Sequence, residues 1–371
     1  MRKFLFLGSL LLAGAITAQE FTAATGKTKG KIDFQDFRSI NLENLQASKI
    51  LMSKSDNLAF QSTKKDKTCN CGNYIAAMTV NNGNIHYIPM VQDNMMTFDP
   101  ASKNGTFVQI ENSVVDVKSQ GTFYARMTTT PDGMMYAVNN NGTEMLKIAS
   151  NGTIQNLGEI SGLVSQIKAL GDEKLGYGGD MIADAFGNIY IISAAANVFK
   201  INPNNLNSTH LGQISGLPEK YTVNGAAVLP DGSVVLGTSS GQGFFILDFD
   251  ALEATFKANY DLPVYDLASE YFLKQAELDE MNSISSHYSL YPTIVKNSEL
   301  NIVSTTNEKN KLNVSVWNIN NKQVYSNQLK VGSTGDFQIN LNGALQPGIY
   351  ILKATNQDGK EVINTKFTLV R

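Results

Sequence analysis

The sequence predicts an all-β chain, a β-propeller followed by a small C-terminal β-sandwich, and three observations lead there. A turn with its following strand recurs four times, as Asn82-Gly83-Asn84-Ile85-His86-Tyr87, Asp132-Gly133-Met134-Met135-Tyr136, Phe186-Gly187-Asn188-Ile189-Tyr190 and Asp231-Gly232-Ser233-Val234-Val235. The turn glycines are 50, 54 and 45 residues apart, which leaves room in each unit for four short strands and no long helix. Past residue 300 the repeat gives way to period-2 strands, Leu300 to Val303, Leu312 to Trp317 and Ile349 to Lys353, separated by Asx and Gly turns. That is the pattern of a small sandwich.

Each repeated element has a physical reason. Asn-Gly and Asp-Gly supply the positive-φ positions that a tight hairpin needs. A second phrase also returns after 54 residues, as Leu157-Gly158-Glu159-Ile160-Ser161-Gly162-Leu163 and Leu211-Gly212-Gln213-Ile214-Ser215-Gly216-Leu217. Four-stranded sheets of this kind bury their faces only against neighbouring sheets, so the ring must close. The ends of the region suggest how. Residues 37–41 and 45–51 resemble the third and fourth strands at 198–202 and 206–211, and residues 264–269 read as a first strand without outer partners. One blade made from both termini gives a ring of five; a separate blade containing Asn57-Leu58-Ala59-Phe60 would make it six.

The N-terminus reads as a secretory signal peptide over residues 1–18. Met1-Arg2-Lys3 is basic, residues 4–16 are apolar, and Thr17-Ala18 precedes a polar start. The apolar run is too short for a membrane span, no other segment is long and apolar enough for one, and no Cys follows Ala18 to carry a lipid. The propeller then occupies residues 19–275, a linker 276–290 and the tail domain 291–371. The 371 residues hold 30 Lys and Arg against 33 Asp and Glu. The tail is mildly basic and the propeller acidic, which excludes nucleic acid and anionic lipid as partners.

The tail carries Tyr291-Pro292, the turn Asn321-Lys322, the strand Leu345-Gln346-Pro347-Gly348-Ile349-Tyr350, and a last strand from Lys366 to Arg371. These residues closely resemble the type A C-terminal sorting domain of the type IX secretion system. Thr293-Ile294 departs from the Asn-Pro that commonly follows Tyr-Pro, and Arg371 stands where Lys is common. The resemblance implies handling by the type IX machinery and export through the outer membrane of a Bacteroidota-type cell. It also implies removal of the domain and either attachment at the cell surface or release.

The chemistry of the propeller is less legible. The three His fall at His86 on a second strand, His210 on a fourth strand and His287 in the linker, away from a tunnel lined by first strands. No Gly-x-Ser-x-Gly, His-Glu-x-x-His or phosphate-cradling loop occurs. Aligning the blades on their turn glycines brings Arg126, Asp180, Asn224 and Asp266 toward one tunnel mouth. An Arg126–Asp180 pair closing the tunnel is the favoured reading, with no cofactor. Calcium on Asp180, Asn224 and Asp266 is the alternative, since that ion asks only for oxygen ligands. Tyr74 and Tyr124 lie at the level of the mouth as candidate sugar-stacking rings. Tyr87, Tyr136 and Tyr190 suit interblade packing. Cys69-Asn70-Cys71 reads either as a small strained disulfide or as two thiols. These features expect an exported binding protein for an extracellular polysaccharide or protein; the alternative is a metal-dependent lactonase, esterase or lyase.

Overall fold

Each of the turn glycines Gly83, Gly133, Gly187 and Gly232 has a φ between 75° and 83° in a computed structural model of the chain. A Cβ there would touch nothing, so it is the sign of φ that selects glycine. The structure describes residues 20–29, 33–56, 75–175, 177–286, 288–296, 299–304, 311–320, 322–330, 336–341 and 345–370. The expected signal peptide of residues 1–18, the segment Asn57–Phe60, Tyr74, Cys69, Cys71, His287 and Arg371 lie outside the described residues. The chain divides into two compact units, Met1–Gln275 and Ala276–Arg371.

The first unit opens with β1 (Glu20–Gly26), β2 (Phe34–Asn41) and β3 (Lys49–Ser53). The first blade is β4 (Ile75–Asn81), β5 (Asn84–Pro89), β6 (Asn94–Asp99) and β7 (Asn104–Gln109). The second is β8 (Tyr124–Thr129), β9 (Met135–Asn139), β10 (Met145–Ile148) and β11 (Ile154–Gly158). After helix α1 (Leu163–Leu170) comes the third, β12 (Gly179–Ala183), β13 (Ile189–Ser193), β14 (Asn197–Asn202) and β15 (Asn207–Gln213). The fourth is β16 (Gly225–Val228), β17 (Val234–Gly237), β18 (Phe244–Asp248) and β19 (Glu253–Ala258). Strand β20 (Val264–Ala268) joins β1, β2 and β3 in the order β20-β1-β2-β3, which completes the fifth blade from both ends of the propeller.

The inner strands β4, β8, β12, β16 and β20 adjoin one another in that order and β20 returns to β4, so the ring has five blades. Residues 37–41, 49–51 and 264–268 take the third-, fourth- and first-strand places the sequence predicts. The second strand, β1, pairs Ala24 with Asp266 on one side and with Phe37 on the other. Aromatic rings join the seams. Phe37 meets Tyr87 edge-on at 5.1 Å and Phe21 meets Phe244 at 5.4 Å, which seats the closing blade against the first and the fourth. Tyr190 meets Phe249 at 4.9 Å between the third and fourth blades.

The second repeated phrase is a staple between outer edges. The Ser161 N–H donates to Leu206 O (2.8 Å) and Ser208 N–H to Ser161 O (3.2 Å). One blade further on, Ser215 N–H donates to Leu252 O and Ala254 N–H to Ser215 O, both at 2.9 Å. The Ile before each Ser, Ile160 and Ile214, is buried. Past β20 the chain crosses the face that carries the turn glycines. Ser269 Oγ donates to Val228 O (2.6 Å), Glu270 Oε1 accepts the Gly83 N–H (2.7 Å), and Leu273 exchanges hydrogen bonds with Ala183 and Ala185. This exit segment therefore touches the fourth, first and third blades.

In the second unit the structure corrects the linker reading of residues 276–290. Helix α2 (Gln275–Ser286) and strand β21 (Tyr288–Tyr291) fill it. A run free of Gly and Pro that opens Gln275-Ala276-Glu277-Leu278 allows a helix, and lack of β alternation does not argue against one. The rest is β22 (Ile294–Val295), β23 (Glu299–Ser304), β24 (Lys311–Asn318), β25 (Gln323–Lys330), β26 (Asp336–Asn340), β27 (Gly348–Thr355) and β28 (Glu361–Leu369). Sheets β21-β23-β26 and β22-β28-β27-β24-β25 enclose one core that includes Leu300, Val316, Phe337, Leu352 and Phe367. The sandwich is as predicted.

Candidate functional site

Of the residues expected at the tunnel mouth, Asp180 and Asp266 meet. Both are fully buried, on β12 and β20. Asp180 Oδ1 accepts the Met181 N–H (2.6 Å), and Oδ2 accepts those of Ala226 (2.6 Å) and Leu267 (3.3 Å). Asp266 Oδ2 accepts the Met78 N–H at 2.7 Å. Its Oδ1 is buried with no donor among the described groups, and the Asp180 carboxyl is its charged neighbour. Burial raises the pKa of Asp180, and burial together with the charge of Asp180 raises that of Asp266 well above the carboxylate range. Two neighbouring buried carboxyls of this kind disfavour carrying two negative charges at once. The pair ties β12 to β16 and β20, and β20 to β4.

Arg126 is buried on β8 and does not form the expected ion pair with Asp180. Its Nε and Nη2 donate to Gly178 O (3.0 and 2.7 Å), and Nη1 donates to Asn139 O and Asn140 O (both 3.1 Å). Four donors of the guanidinium fork are thus engaged by carbonyls of the second blade and of the approach to the third. Burial lowers its pKa to about 10, against the opposing pull of Asp172 and Asp180, and it remains charged at neutral pH. Asn224 is drawn to its own blade, where its Oδ1 accepts from the Ser239 N–H (2.9 Å) and Thr222 Oγ1 (3.2 Å).

Tyr124 is no stacking platform. Its ring is fully buried, its hydroxyl donates to Glu144 Oε2 (2.7 Å), and burial pushes the phenol pKa up. His86 lies on β5 with Nδ1 3.0 Å from Thr97 Oγ1, and burial lowers its pKa to about 4. His210 lies on β15 with Nε2 3.1 Å from Asn197 Oδ1.

The calcium alternative does not fit. That ion takes six to eight oxygens, whereas Asp180 already receives three backbone N–H groups and Asn224 Oδ1 is engaged within its own blade. Among the described residues no group of three His, Cys, Asp or Glu side chains is placed to hold a metal ion. A narrow space of ≈ 10 Å³, enough for about one water, runs along the inner strands and is lined by Thr79, Met181, Ala226 and Leu267 among others.

Two residues that sequence reasoning missed complete this centre. Asn140 Oδ1 accepts the Gly178 N–H (3.0 Å), which holds the loop that Arg126 grips. Asp172, buried just after α1, accepts Asn197 Nδ2 at 2.8 Å. Asn140 stands in the polar run Asn139-Asn140-Asn141-Gly142, which reads as a simple turn, and Asp172 has no counterpart in the repeat register.

In the tail, Tyr291–Pro292 is a cis peptide bond at the end of β21, with the Tyr291 side chain exposed. Gly348 opens β27. Tyr350 stacks on Phe367 at 5.6 Å and donates its hydroxyl to Gln346 O (2.6 Å). Lys366 on β28 pairs with Ile351. The Leu-x-x-Gly-Ile-Tyr phrase is thus a self-bonded turn feeding a central strand.

Residues 289–368 match the family described as the secretion system C-terminal sorting domain. No curated protein matches the chain. Among solved structures, the chain is similar to one from a nidogen/laminin complex, with 9% identity and a TM-score of 0.42 over 68% of this chain and 98% of that one. It is also similar to a protein of unknown function from Bacteroides thetaiotaomicron VPI-5482, with 14% identity and a TM-score of 0.40 over 69% and 66%. Virginiamycin B lyase from Staphylococcus aureus shows 10% identity and a TM-score of 0.36 over 95% and 96%. Likeness this distant carries no argument about activity. Among the described residues no helix is long and apolar enough to cross a membrane. The chain joins a five-bladed propeller to a type IX C-terminal sorting domain, which directs it to the cell surface or the extracellular space.

Proposed function

We propose that the propeller is a binding module, carried outside the cell to engage a polysaccharide or a protein through its faces and loops. One observation carries this reading. The polar residues that converge inside the ring are committed to backbone groups, Asp180 and Asp266 to N–H groups of three neighbouring strands and Arg126 to three carbonyls. With these groups engaged by the backbone, recognition falls to the faces and loops of the propeller.

Glycan-array and pull-down screening of the full secreted protein tests the proposal. Reproducible capture of a glycan or an extracellular protein is expected, and silence across both panels would count against it. Calcium-dependent turnover of a lactone or ester panel, abolished in a folded Asp180→Asn variant, would replace it with the enzyme reading.

A further inference from the structure

A hollow of ≈ 380 Å³ opens on the face that carries the turn glycines, between the first two blades and the exit segment. Its size falls among small-molecule sites, roughly 300–1,000 Å³. The end of β4 contributes Asn81 and Asn82, the turn after β8 contributes Thr130 and Asp132, and the exit segment contributes Glu270 and Phe272. Three parts of the chain far apart in sequence therefore build its wall.

The wall is pre-set. Asn81 Nδ2 donates to Gly133 O (3.1 Å), which ties the first blade to the turn of the second. Asp132 Oδ1 accepts Thr130 Oγ1 (2.6 Å) and the Met134 N–H (3.2 Å). Glu270 Oε1 accepts the Gly83 N–H. Each carboxylate is held by one oxygen, and the other oxygen has no donor among the described residues. Among the described residues no Lys or Arg lines the hollow. Anchored carboxylates with spare lone pairs suit a ligand rich in hydroxyl donors, and a half-buried Phe272 offers a ring for the apolar face of a pyranose. Two carboxylates without a cation repel uronates and phosphates.

We propose that this hollow binds one or two residues of a neutral saccharide, with Asp132 and Glu270 accepting its hydroxyls and Phe272 packing against a sugar face. The inference rests on the binding-module reading and names its site and ligand class. Side chains already fixed by their own hydrogen bonds lose little freedom on binding, which favours recognition of a small ligand.

The test is calorimetric titration of the full secreted protein with cellobiose, maltose and laminaribiose, beside digalacturonate and a Lys-rich peptide as charged controls. At least one neutral disaccharide is expected to bind and digalacturonate is not. Phe272→Leu and Glu270→Gln are each expected to weaken binding by about tenfold or more. Glu270→Gln keeps an oxygen for the Gly83 N–H, so its melting temperature is expected to match the parent's and the loss reads as lost recognition. Saccharide binding that both variants leave unchanged would overturn the site while the binding-module reading stands. Preference for digalacturonate or for the peptide would overturn the ligand class. Silence toward all three disaccharides would overturn the inference as a whole, and the broader reading would then be decided by the capture experiments above.

Discussion

The Asp180 and Asp266 carboxyls, on inner strands separated by β16, lie buried inside the ring and grip backbone N–H groups of β4, β16 and β20. The closing strand β20 is thereby fastened on both sides by buried acids as well as by its pairing with β1.

Titration of this pair gives stability a definite slope. Folding raises both pKa values above the ordinary carboxyl range, so the folded chain binds more protons than the unfolded one between that range and the pair's own titration. Stability therefore falls as pH rises through that window, by up to about 1.4 kcal/mol per pH unit for each proton. Asp266→Asn removes one of the two titrating carboxyls and puts an uncharged amide in its place. Its thermal melts from mildly acidic to alkaline pH are expected to show a flatter slope than the parent's. An unchanged slope would remove the pair as its source.

Tyr124→Phe removes the hydroxyl that bonds the buried Glu144, whose pKa burial raises. A loss of about 1–2 kcal/mol is expected in chemical denaturation. Ligand capture is expected to be unaffected, because the ring is fully buried. Weakened capture by a variant of normal stability would return Tyr124 to the candidate binding residues.

At the closing seam, a Cβ on Gly26 would lie 1.9 Å from the Tyr265 hydroxyl oxygen, and the ring of Tyr265 is buried. Gly26→Ala is expected to cost roughly 1–3 kcal/mol as the ring is displaced. Deleting residues 19–53 would strip β20 of its partners and is expected to leave an aggregating chain. Cooperative melting of that deletion variant as a soluble monomer would refute closure by the N-terminal strands.

Deleting residues 276–371 removes α2 and the whole sandwich, and is expected to leave a folded propeller retained inside the outer membrane. Cell fractionation with a conformational probe, such as resistance to limited proteolysis, reads both parts of the outcome. Normal delivery to the surface or the medium would show that the tail is not the export signal.

The ring was legible because its turns need particular residues. Gly83, Gly133, Gly187 and Gly232 mark the same positive-φ position in four blades, and counting between them gives the unit. Strand β1 was not legible, since Glu20–Gly26 follows the signal-like segment and lacks such a turn before it. Helix α2 was hidden by a search for alternation. At the candidate site, register placed Asp180 and Asp266 at the right depth but could not give the direction of the long Arg126 side chain, which carbonyls of Gly178, Asn139 and Asn140 decide. The saccharide hollow escaped altogether, because the exit segment has no repeat partner with which Glu270 and Phe272 could be aligned.

A sheet built from three strands at the start and one at the finish decides which rearrangements of the gene yield a working product. Removing or duplicating one middle blade keeps both halves of the seam, and a ring of four or six stays open to selection. A stop or break anywhere between Ser53 and Val264 separates the halves and leaves unsatisfied edges instead of a smaller ring. During synthesis β1, β2 and β3 are made first yet must wait for β20, so closure is a late event between distant parts of the chain. The pairing of the two ends of the propeller is thus the fixed element of this architecture.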